Sequence, residues 1–177
     1  MITYIVLLKG INVGGHKKVP MAELRQLLSN SGFTNVRTYI QSGNIILQSN
    51  EKNQQQVEVT ISKAILKHFG FEVSVLAKTR TELKRIFDQS PFPEEKKKAS
   101  YFMMLHDMPD SEKVREASQK VYEGEDYQII EDCIYYFHDK GLSKAKFNVN
   151  FFERKFQTFA TARNYNTMIK LLSLSED

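Results

Sequence analysis

Directly after Met1 the chain reads Ile2-Thr3-Tyr4-Ile5-Val6-Leu7-Leu8, an almost unbroken run of apolar and β-branched side chains. The run is too short for an ordinary helix and is typical of a buried β-strand. A glycine-rich loop, Lys9 to Val19, follows it. Pro20 then suits the first turn of a helix, because its φ is already fixed near the helical value and its missing N–H is not needed there. This strand, loop and helix start set the pattern of the whole chain.

The rest of the first half alternates between helical and strand patterns. Leucines at helical spacing predict a first helix that Gly32 ends, and Gly43 lies in a hairpin turn between two short strands. A longer helix and a further strand follow, which gives the order β-α-β-β-α-β of the ferredoxin-like fold. The predicted elements are Ile2–Leu8, a helix from Pro20 to about Ser31, Asn35–Ile40, Asn44–Gln48, about Gln55–Phe69 and Phe71–Leu76.

The same order begins again in the second half. The spacing predicts three strands, a helix that Asp110 caps after the first strand, and two helical segments at the end, without a clear last strand. We therefore expect an α+β fold of two ferredoxin-like halves, of which the second is divergent. The predicted second-half elements are Ser100–His106, Asp110–Val121, Tyr127–Glu131, Cys133–His138, Asn150–Gln157 and Arg163–Leu174.

A charged segment with two prolines, Gln89–Lys98, is the best candidate for a boundary between the halves. It leads us to expect two domains. Residues 1–90 would form the ferredoxin-like half that carries the glycine-rich loop, and residues 91–177 the divergent α+β half with the C-terminal helices.

Composition excludes several classes of protein. A single cysteine among 177 residues rules out an internal disulfide framework and a multi-cysteine zinc site. Met1–Leu8 lacks the basic leader and cleavage site of a signal peptide, and no apolar run approaches the roughly 20 residues of a membrane span. We therefore expect a cytoplasmic protein with no membrane partner, no metal and no cofactor. The sequence leaves the oligomeric state open.

Positive charge is concentrated in the first half. Residues 1–78 carry nine Lys and Arg against four Asp and Glu, whereas the remainder carries 16 against 17. The excess favours an anionic partner, although charges of this number are also typical of solvated loops.

The glycine-rich loop is the main candidate site, because it is longer than the usual strand-to-helix connection of about 2 to 6 residues. Glycines let backbone N–H groups turn towards a ligand, and Lys9, Lys17 and Lys18 near a helix N-terminus favour an anion. The phosphate-loop motif is not present, because His16 stands where the lysine belongs and no Ser or Thr follows. Two interpretations stay open: an anion-binding loop, or a structural loop whose glycines only make turns.

Two further segments are candidates for the same site. In a ferredoxin-like sheet the end of the first strand lies near the start of the third, so Gln41, Ser42 and Asn44 are predicted to lie beside the loop. Turn geometry alone would also explain these three residues. Near the end of the chain, Thr161 is predicted to cap the last helix. Arg163 would then lie in its first turn, where a cation opposes the helix dipole and calls for a carboxylate or an anionic ligand.

Catalytic patterns are weak. Cys133 lies within a predicted strand and is more typical of a small buried apolar residue than of a nucleophile. His106 and His138 end predicted strands without metal-ligand spacing. His16, within the glycine-rich loop, is the one histidine that we would test as an acid or a base. Aromatic residues of the second half, among them Tyr135, are predicted to pack in the core and not to stack on bases.

Three ordered motifs resemble the bacterial family called domain of unknown function 1697. The resemblance implies a small bacterial cytosolic protein with two related α+β halves and no assigned reaction. It also marks the motif residues as candidate ligand-binding positions. The motifs are Leu7–Gly15 with Lys18–Met21, then Tyr39–Asn44, and finally Thr161–Asn164 with Thr167.

We therefore expect a binding module for an anionic, phosphate-bearing small molecule or for nucleic acid. The alternative is a small-molecule enzyme that uses His16 or Ser42, and a protein-interaction adaptor is a third class. We also expect Arg163 to join the glycine loop in one site. The candidate ligand-binding residues are Lys9, Gly10, Asn12, Gly14, Gly15, Lys18, Gln41, Ser42, Asn44, Arg163 and Asn164.

Overall fold

The structure, a computed structural model, describes residues 1–176 and contains two four-stranded antiparallel sheets with helices. The strand orders are β2-β3-β1-β4 and β6-β7-β5-β8, so the second sheet repeats the first element for element. This confirms the α+β class and the two ferredoxin-like halves. Within residues 1–176, no helix is long and apolar enough to cross a membrane.

The first sheet and its helices follow the β-α-β-β-α-β order. Its central strand, β1, pairs with β3 on one side and with β4 on the other. Two helices cover one face, with Leu24 and Ile61 packed against Val6 and Leu8 of β1 in a mainly aliphatic core. The elements are β1 (Ile2–Leu8), α1 (Met21–Asn30), β2 (Thr34–Tyr39), β3 (Asn44–Ser49), α2 (Gln54–Phe69) and β4 (Val75–Thr79).

The second half starts with two short helices and then repeats the pattern. Its core is aromatic: Tyr136, Phe147 and Phe152 are buried together, and the Phe147 and Phe152 rings stack with centroids 4.8 Å apart. A 3₁₀ turn, Leu142–Lys144, lies in the connection after β7. The elements are α3 (Arg80–Asp88), α4 (Glu94–Lys98), β5 (Tyr101–Leu105), α5 (Ser111–Ala117), β6 (Glu125–Ile130), β7 (Cys133–His138), α6 (Val149–Phe156), β8 (Ala160–Asn164) and α7 (Tyr165–Leu174).

The chain divides into two compact units. The first unit is Met1–Leu83 together with the residues from Lys170 onward, and the second is Lys84–Ile169. Hydrogen bonds tie the last residues into the first unit: Arg37 donates to the Leu174 carbonyl at 2.7 Å and Arg80 to the Leu172 carbonyl at 3.3 Å. The predicted division into domains at residues 1–90 and 91–177 stays a proposal.

Two predictions for the second half were wrong. The sequence predicted no clear last strand for the second half, but residues Ala160–Asn164 form the strand β8, which pairs with β5. The last helix begins at Tyr165, and Asn164, not Thr161, caps it by accepting the Thr167 N–H at 2.9 Å. Arg163 therefore lies in a strand and not in a first helical turn, so the helix-dipole argument for a ligand does not apply to it.

Smaller differences concern element ends. The fourth strand begins at Val75 and not at Phe71, because its pairing with β1 starts at Leu8 opposite Val75. Helix α5 ends at Ala117, four residues before the predicted Val121. At the start of α3, Thr79 and Glu82 form a capping box, in which the Glu82 carboxylate accepts the Thr79 N–H at 2.7 Å.

Candidate functional site

The glycine-rich loop folds back on itself as a tight hairpin. The His16 N–H donates to the Val13 carbonyl at 3.0 Å, and the Asn12 N–H donates to the Lys17 carbonyl at 3.1 Å. Gly14 and Gly15 form the turn with φ of 58° and 77°. Two successive positive φ values are the geometry of a type I′ turn, whose twist matches that of the paired strands. These two glycines are thus required by the turn itself.

Asn12 joins the hairpin to its surroundings. Its side-chain oxygen accepts the Val19 N–H at 2.8 Å, while its amide nitrogen donates to the Val19 carbonyl at 3.0 Å and to the Gln41 carbonyl at 2.7 Å. The third of these bonds crosses from the glycine loop to the β2–β3 hairpin. The prediction that these two segments meet at one end of the first sheet is confirmed.

The β2–β3 hairpin is built around close packing. The Gly43 carbonyl accepts the Leu8 N–H at 2.8 Å, and a Cβ at Gly43 would lie 2.7 Å from the Leu8 Cβ. Asn44 is fully buried and donates to the Tyr39 carbonyl at 3.1 Å and to the Ser42 hydroxyl oxygen at 2.9 Å. The structure therefore gives Asn44 an internal structural role, while Ser42 and Gln41 are exposed.

Backbone strain is concentrated at this end of the first sheet. The two loops hold seven of the fourteen residues with positive φ among residues 1–176. Ile40, with φ of 49°, is the most unusual, because a β-branched side chain is rarely accepted in the left-handed region. Such residues often gather at functional sites, where the surrounding structure holds them in place. The seven are Gly10, Asn12, Gly14, Gly15, Lys17, Ile40 and Gly43.

A shallow pocket of about 430 Å³ opens beside the hairpin, on the β4 side of β1. Lys9 and Lys17 supply its positive charge, and the Lys17 ammonium donates to the Glu72 carbonyl at 2.7 Å. The loop before β4 and the helix α2 complete it, and neither segment was predicted to belong to a site. The lining residues are Lys9, Gly10, Lys17, Ser62, Glu72, Val73 and Ser74.

The predicted first-half residues thus fall into three groups. Lys9 and Gly10 line the pocket, Asn12 joins the two loops while Asn44 braces the β2–β3 hairpin, and Lys18 is exposed with the turn glycines. Within the described chain, polar groups of the pocket and of the Gln41–Asn44 hairpin lie on different sides of β1, because β4 and β3 flank that strand.

Arg163 and Asn164 belong to the second unit. The Arg163 side chain is only 8% exposed and donates to the Thr161 hydroxyl and the Ala162 carbonyl, both at 2.8 Å. Burial lowers the pKa of its guanidinium to about 10. Asn164 caps α7. That Arg163 joins the glycine loop in one site stays a prediction.

Other candidate groups are used by the fold. Cys133 is fully buried in β7, and burial raises the pKa of its thiol well above its usual value. Phe102, Tyr135 and Tyr136 are also fully buried, so these rings do not form a base-stacking surface. Among residues 1–176, no group of three or more His, Cys, Asp or Glu side chains is placed to hold a metal ion.

Residues 1–135 match the family described as "Protein of unknown function (DUF1697)". The chain belongs to this family. The first two sequence motifs lie within the matched residues, and the third, Thr161–Asn164, lies beyond them. A solved structure, that of the conserved bacterial protein SP0830 from Streptococcus pneumoniae, is similar over 98% of each chain, with 27% sequence identity and a TM-score of 0.76. No curated protein matches the chain. These relatives support an uncharacterised, conserved bacterial protein family.

Proposed function

We propose that the protein binds a phosphate-bearing anion in the pocket beside the glycine hairpin. The observation that carries the proposal is the presence of two lysines, Lys9 and Lys17, in one open pocket at the strained end of the first sheet. The basic excess of residues 1–78 supports it, because net positive charge raises the local concentration of anions.

Lys17 is well placed to take part in this binding. An ammonium group has three N–H donors, and the Glu72 carbonyl accepts from one of them. This bond fixes the position of the side chain while leaving donor capacity for a phosphate oxygen. The hairpin holds the backbone of Lys17 in the left-handed region, with φ of 47°. This conformation lowers the stability of the fold, and a role of Lys17 in binding would explain why it is present.

The enzyme alternative has weaker support. His16 is exposed near the tip of the hairpin, and the Ser42 hydroxyl accepts a hydrogen bond from Asn44. An amide does not take up a proton, so Asn44 does not activate Ser42 as a nucleophile. Binding is therefore the function that the geometry supports better than catalysis at His16 or Ser42.

Thermal melting in the presence of pyrophosphate, nucleotides, sugar phosphates and short oligonucleotides tests the proposal. A ligand at about 100 times its Kd stabilises the protein by roughly 2.7 kcal/mol. Lys17→Gln and Lys9→Gln should each raise the Kd of the best ligand at least about tenfold. Lys52→Gln is the matched control, because it removes the same charge at the connection after β3, the opposite end of that strand. Equal effects at all three positions would contradict the pocket.

Two further measurements refine the ligand. If the ligand is nucleic acid, affinity must fall steeply with added salt, since phosphate contacts release counterions. Arg163→Ala and Arg163→Lys test the predicted participation of Arg163, because a lysine does not reproduce the paired hydrogen bonds of a guanidinium. Full affinity of a folded Arg163→Ala variant would exclude Arg163 from the site and leave the pocket proposal intact.

A further inference from the structure

The outer edge of the second sheet has unused backbone hydrogen-bonding groups. Strand β6 is at the end of the order β6-β7-β5-β8, and among residues 1–176 it pairs with β7 alone. The Leu105 N–H donates to the Asp132 carbonyl at 2.8 Å, which fixes the alternation along β7. Residues 133, 135 and 137 therefore face β6 and bond to residues 130, 128 and 126. The backbone groups of Glu125, Tyr127 and Ile129 consequently point outwards.

These outward groups differ in what they contact. The Glu125 N–H donates to the Tyr122 carbonyl at 3.1 Å. Within residues 1–176, the outward N–H and C=O groups of Tyr127 and Ile129 make no backbone hydrogen bond. Gln128, between them, has an exposed side chain. The centre of β6 is thus an open template for another strand.

The corresponding strand of the first sheet, β2, is protected. Its pairing with β3 shifts register between Thr34 and Arg37, and Asn35 takes a left-handed φ of 50°. A bulge of this kind bends an edge strand and prevents it from adding a neighbour. Strand β6 pairs with β7 in unbroken register from Glu125 to Ile130 and contains neither proline nor lysine. The edge strand β2 of the first sheet is therefore protected against pairing, whereas the equivalent edge strand β6 of the second sheet is open to it.

We propose that β6 pairs antiparallel with β6 of a second copy of this chain, about a twofold axis at Gln128. In this register the N–H and C=O of Tyr127 bond to Ile129 of the second copy, and those of Ile129 bond to its Tyr127. All four open backbone groups of each β6 are then used.

The neighbouring registers are worse. An axis at Tyr127 would need Glu125, whose N–H already donates to Tyr122. An axis at Ile129 would need Glu131, whose φ of 51° is not that of a strand. With the axis at Gln128, a neutral amide faces its own copy and Asp126 faces Ile130, so no like charges are opposed at these three central positions. At the two ends of the pairing Glu125 comes opposite Glu131, whose carboxylate is paired with Arg85 of its own chain. This self-complementarity favours a second copy over a charged peptide as the occupant.

Sedimentation and light scattering of the full chain, from low micromolar to near-millimolar concentration, test the proposal. We expect a concentration-dependent dimer. Both Gln128→Lys and Gln128→Glu should weaken it by about threefold to fivefold, because each places like charges face to face across the axis. A mixture of these two variants should dimerise better than either alone. Both changes are at an exposed side chain, and unchanged melting of the variants at low concentration checks that they remain folded.

Ile129→Pro gives an independent readout, since it removes an N–H that points outwards and makes no bond within the sheet. A folded Ile129→Pro variant should be monomeric. A wild-type protein that stays monomeric throughout, or a dimer that neither charge variant weakens, overturns the proposal. Opposite effects of Gln128→Lys and Gln128→Glu would overturn it as well, and would indicate a partner of fixed charge in place of a second copy.

Discussion

The two sheets share one topology but carry their long connections at opposite ends. In the first unit, residues 9–20 join the first strand to the next helix, and residues 40–43 close the hairpin. In the second unit, residues 106–110 and 131–132 make the same two connections. The second unit shows that the same topology forms with shorter loops at these two positions. The longer loops of the first unit are therefore not needed to connect the strands, and this supports the proposed binding at that end of the sheet.

The second unit has its own long connection, at the other end of its sheet. Residues 139–148 join β7 to α6, whereas residues 50–53 suffice between β3 and α2. One side chain with three hydrogen bonds holds each long loop. In the first unit it is the neutral amide of Asn12, and in the second it is the carboxylate of Glu125, which accepts from the Lys146 N–H, the Phe147 N–H and the Tyr136 hydroxyl. Because the carboxylate takes up a proton in acid and the amide does not, we expect the two loops to respond differently to pH.

Gly43→Ala should have the largest effect on stability. The added Cβ would lie 2.7 Å from the Leu8 Cβ and 3.0 Å from the Ile11 Cδ1, at a φ of 78°. Overpacking and left-handed strain together should cost about 3 kcal/mol of unfolding free energy, measured by urea denaturation. Gly15→Ala is the control, because its φ of 77° is nearly the same but, apart from its chain neighbours, no described atom lies within 4 Å of the new Cβ. It should cost about 1 kcal/mol.

Equal losses in the two glycine variants would mean that backbone strain alone governs the loop end. The close packing of β1 against the β2–β3 hairpin would then contribute nothing measurable.

Acid should loosen the long loop of the second unit but not the glycine loop. Burial raises the pKa of the Glu125 carboxyl, but hydrogen bonds from the Lys146 N–H, the Tyr136 hydroxyl and the Phe147 N–H outweigh it and hold this pKa below its ordinary value. A lowered pKa in the folded state contributes stability above the unfolded value of about 4.3, and this stability is lost as the pH falls through the folded pKa. Amide exchange of residues 144–148 should therefore rise below about pH 4, relative to residues 12–19.

Glu125→Gln is the matching control for this pH effect. It should cost about 2 kcal/mol near neutral pH, because charged hydrogen bonds are lost, and it should remove most of the extra acid-induced exchange. Persistence of the full acid effect in Glu125→Gln would assign it to another group.

Ile40→Asn should have the smallest effect, and in the opposite direction. Ile40 is 51% exposed and has a φ of 49°, which asparagine tolerates much better. Relief of the strain should stabilise the protein by about 1 kcal/mol in urea denaturation. Val13→Asn, at an exposed apolar position of the glycine hairpin without a positive φ, should give no gain. A loss of stability in Ile40→Asn would show that its side chain packs more than its exposure indicates.

Most of the first sheet was predictable because its signals are local. The apolar run of β1, the leucine spacing of α1 and the glycine turn at Gly43 each specify an element or its end without reference to distant residues. Strand β8 was not predictable in this way. Ala160–Asn164 has a single β-branched residue, Thr161, and no regular alternation of apolar and polar side chains. It is a strand because it pairs with β5, about 60 residues earlier in the chain.

The candidate site was predictable to a similar degree. The antiparallel topology correctly predicted that the glycine loop lies beside the β2–β3 hairpin, and Asn12 donates the hydrogen bond that connects them. The pocket itself was missed, because Ser62 of α2 and Ser74 before β4 become its walls only through tertiary packing. Gly14 and Gly15 form the turn of the glycine hairpin, and their predicted contact with a ligand stays a prediction.

The buried thiol of Cys133 gives the protein an internal reporter. It is the single cysteine of the chain, lies in the interior strand β7, and is fully buried. A thiol-alkylating reagent can modify Cys133 only when the second sheet unfolds locally. The rate of modification therefore reports local unfolding of the second sheet and does not depend on local unfolding of the first sheet. Comparing this rate with and without pyrophosphate would show whether a ligand held by the first unit slows the opening of the second.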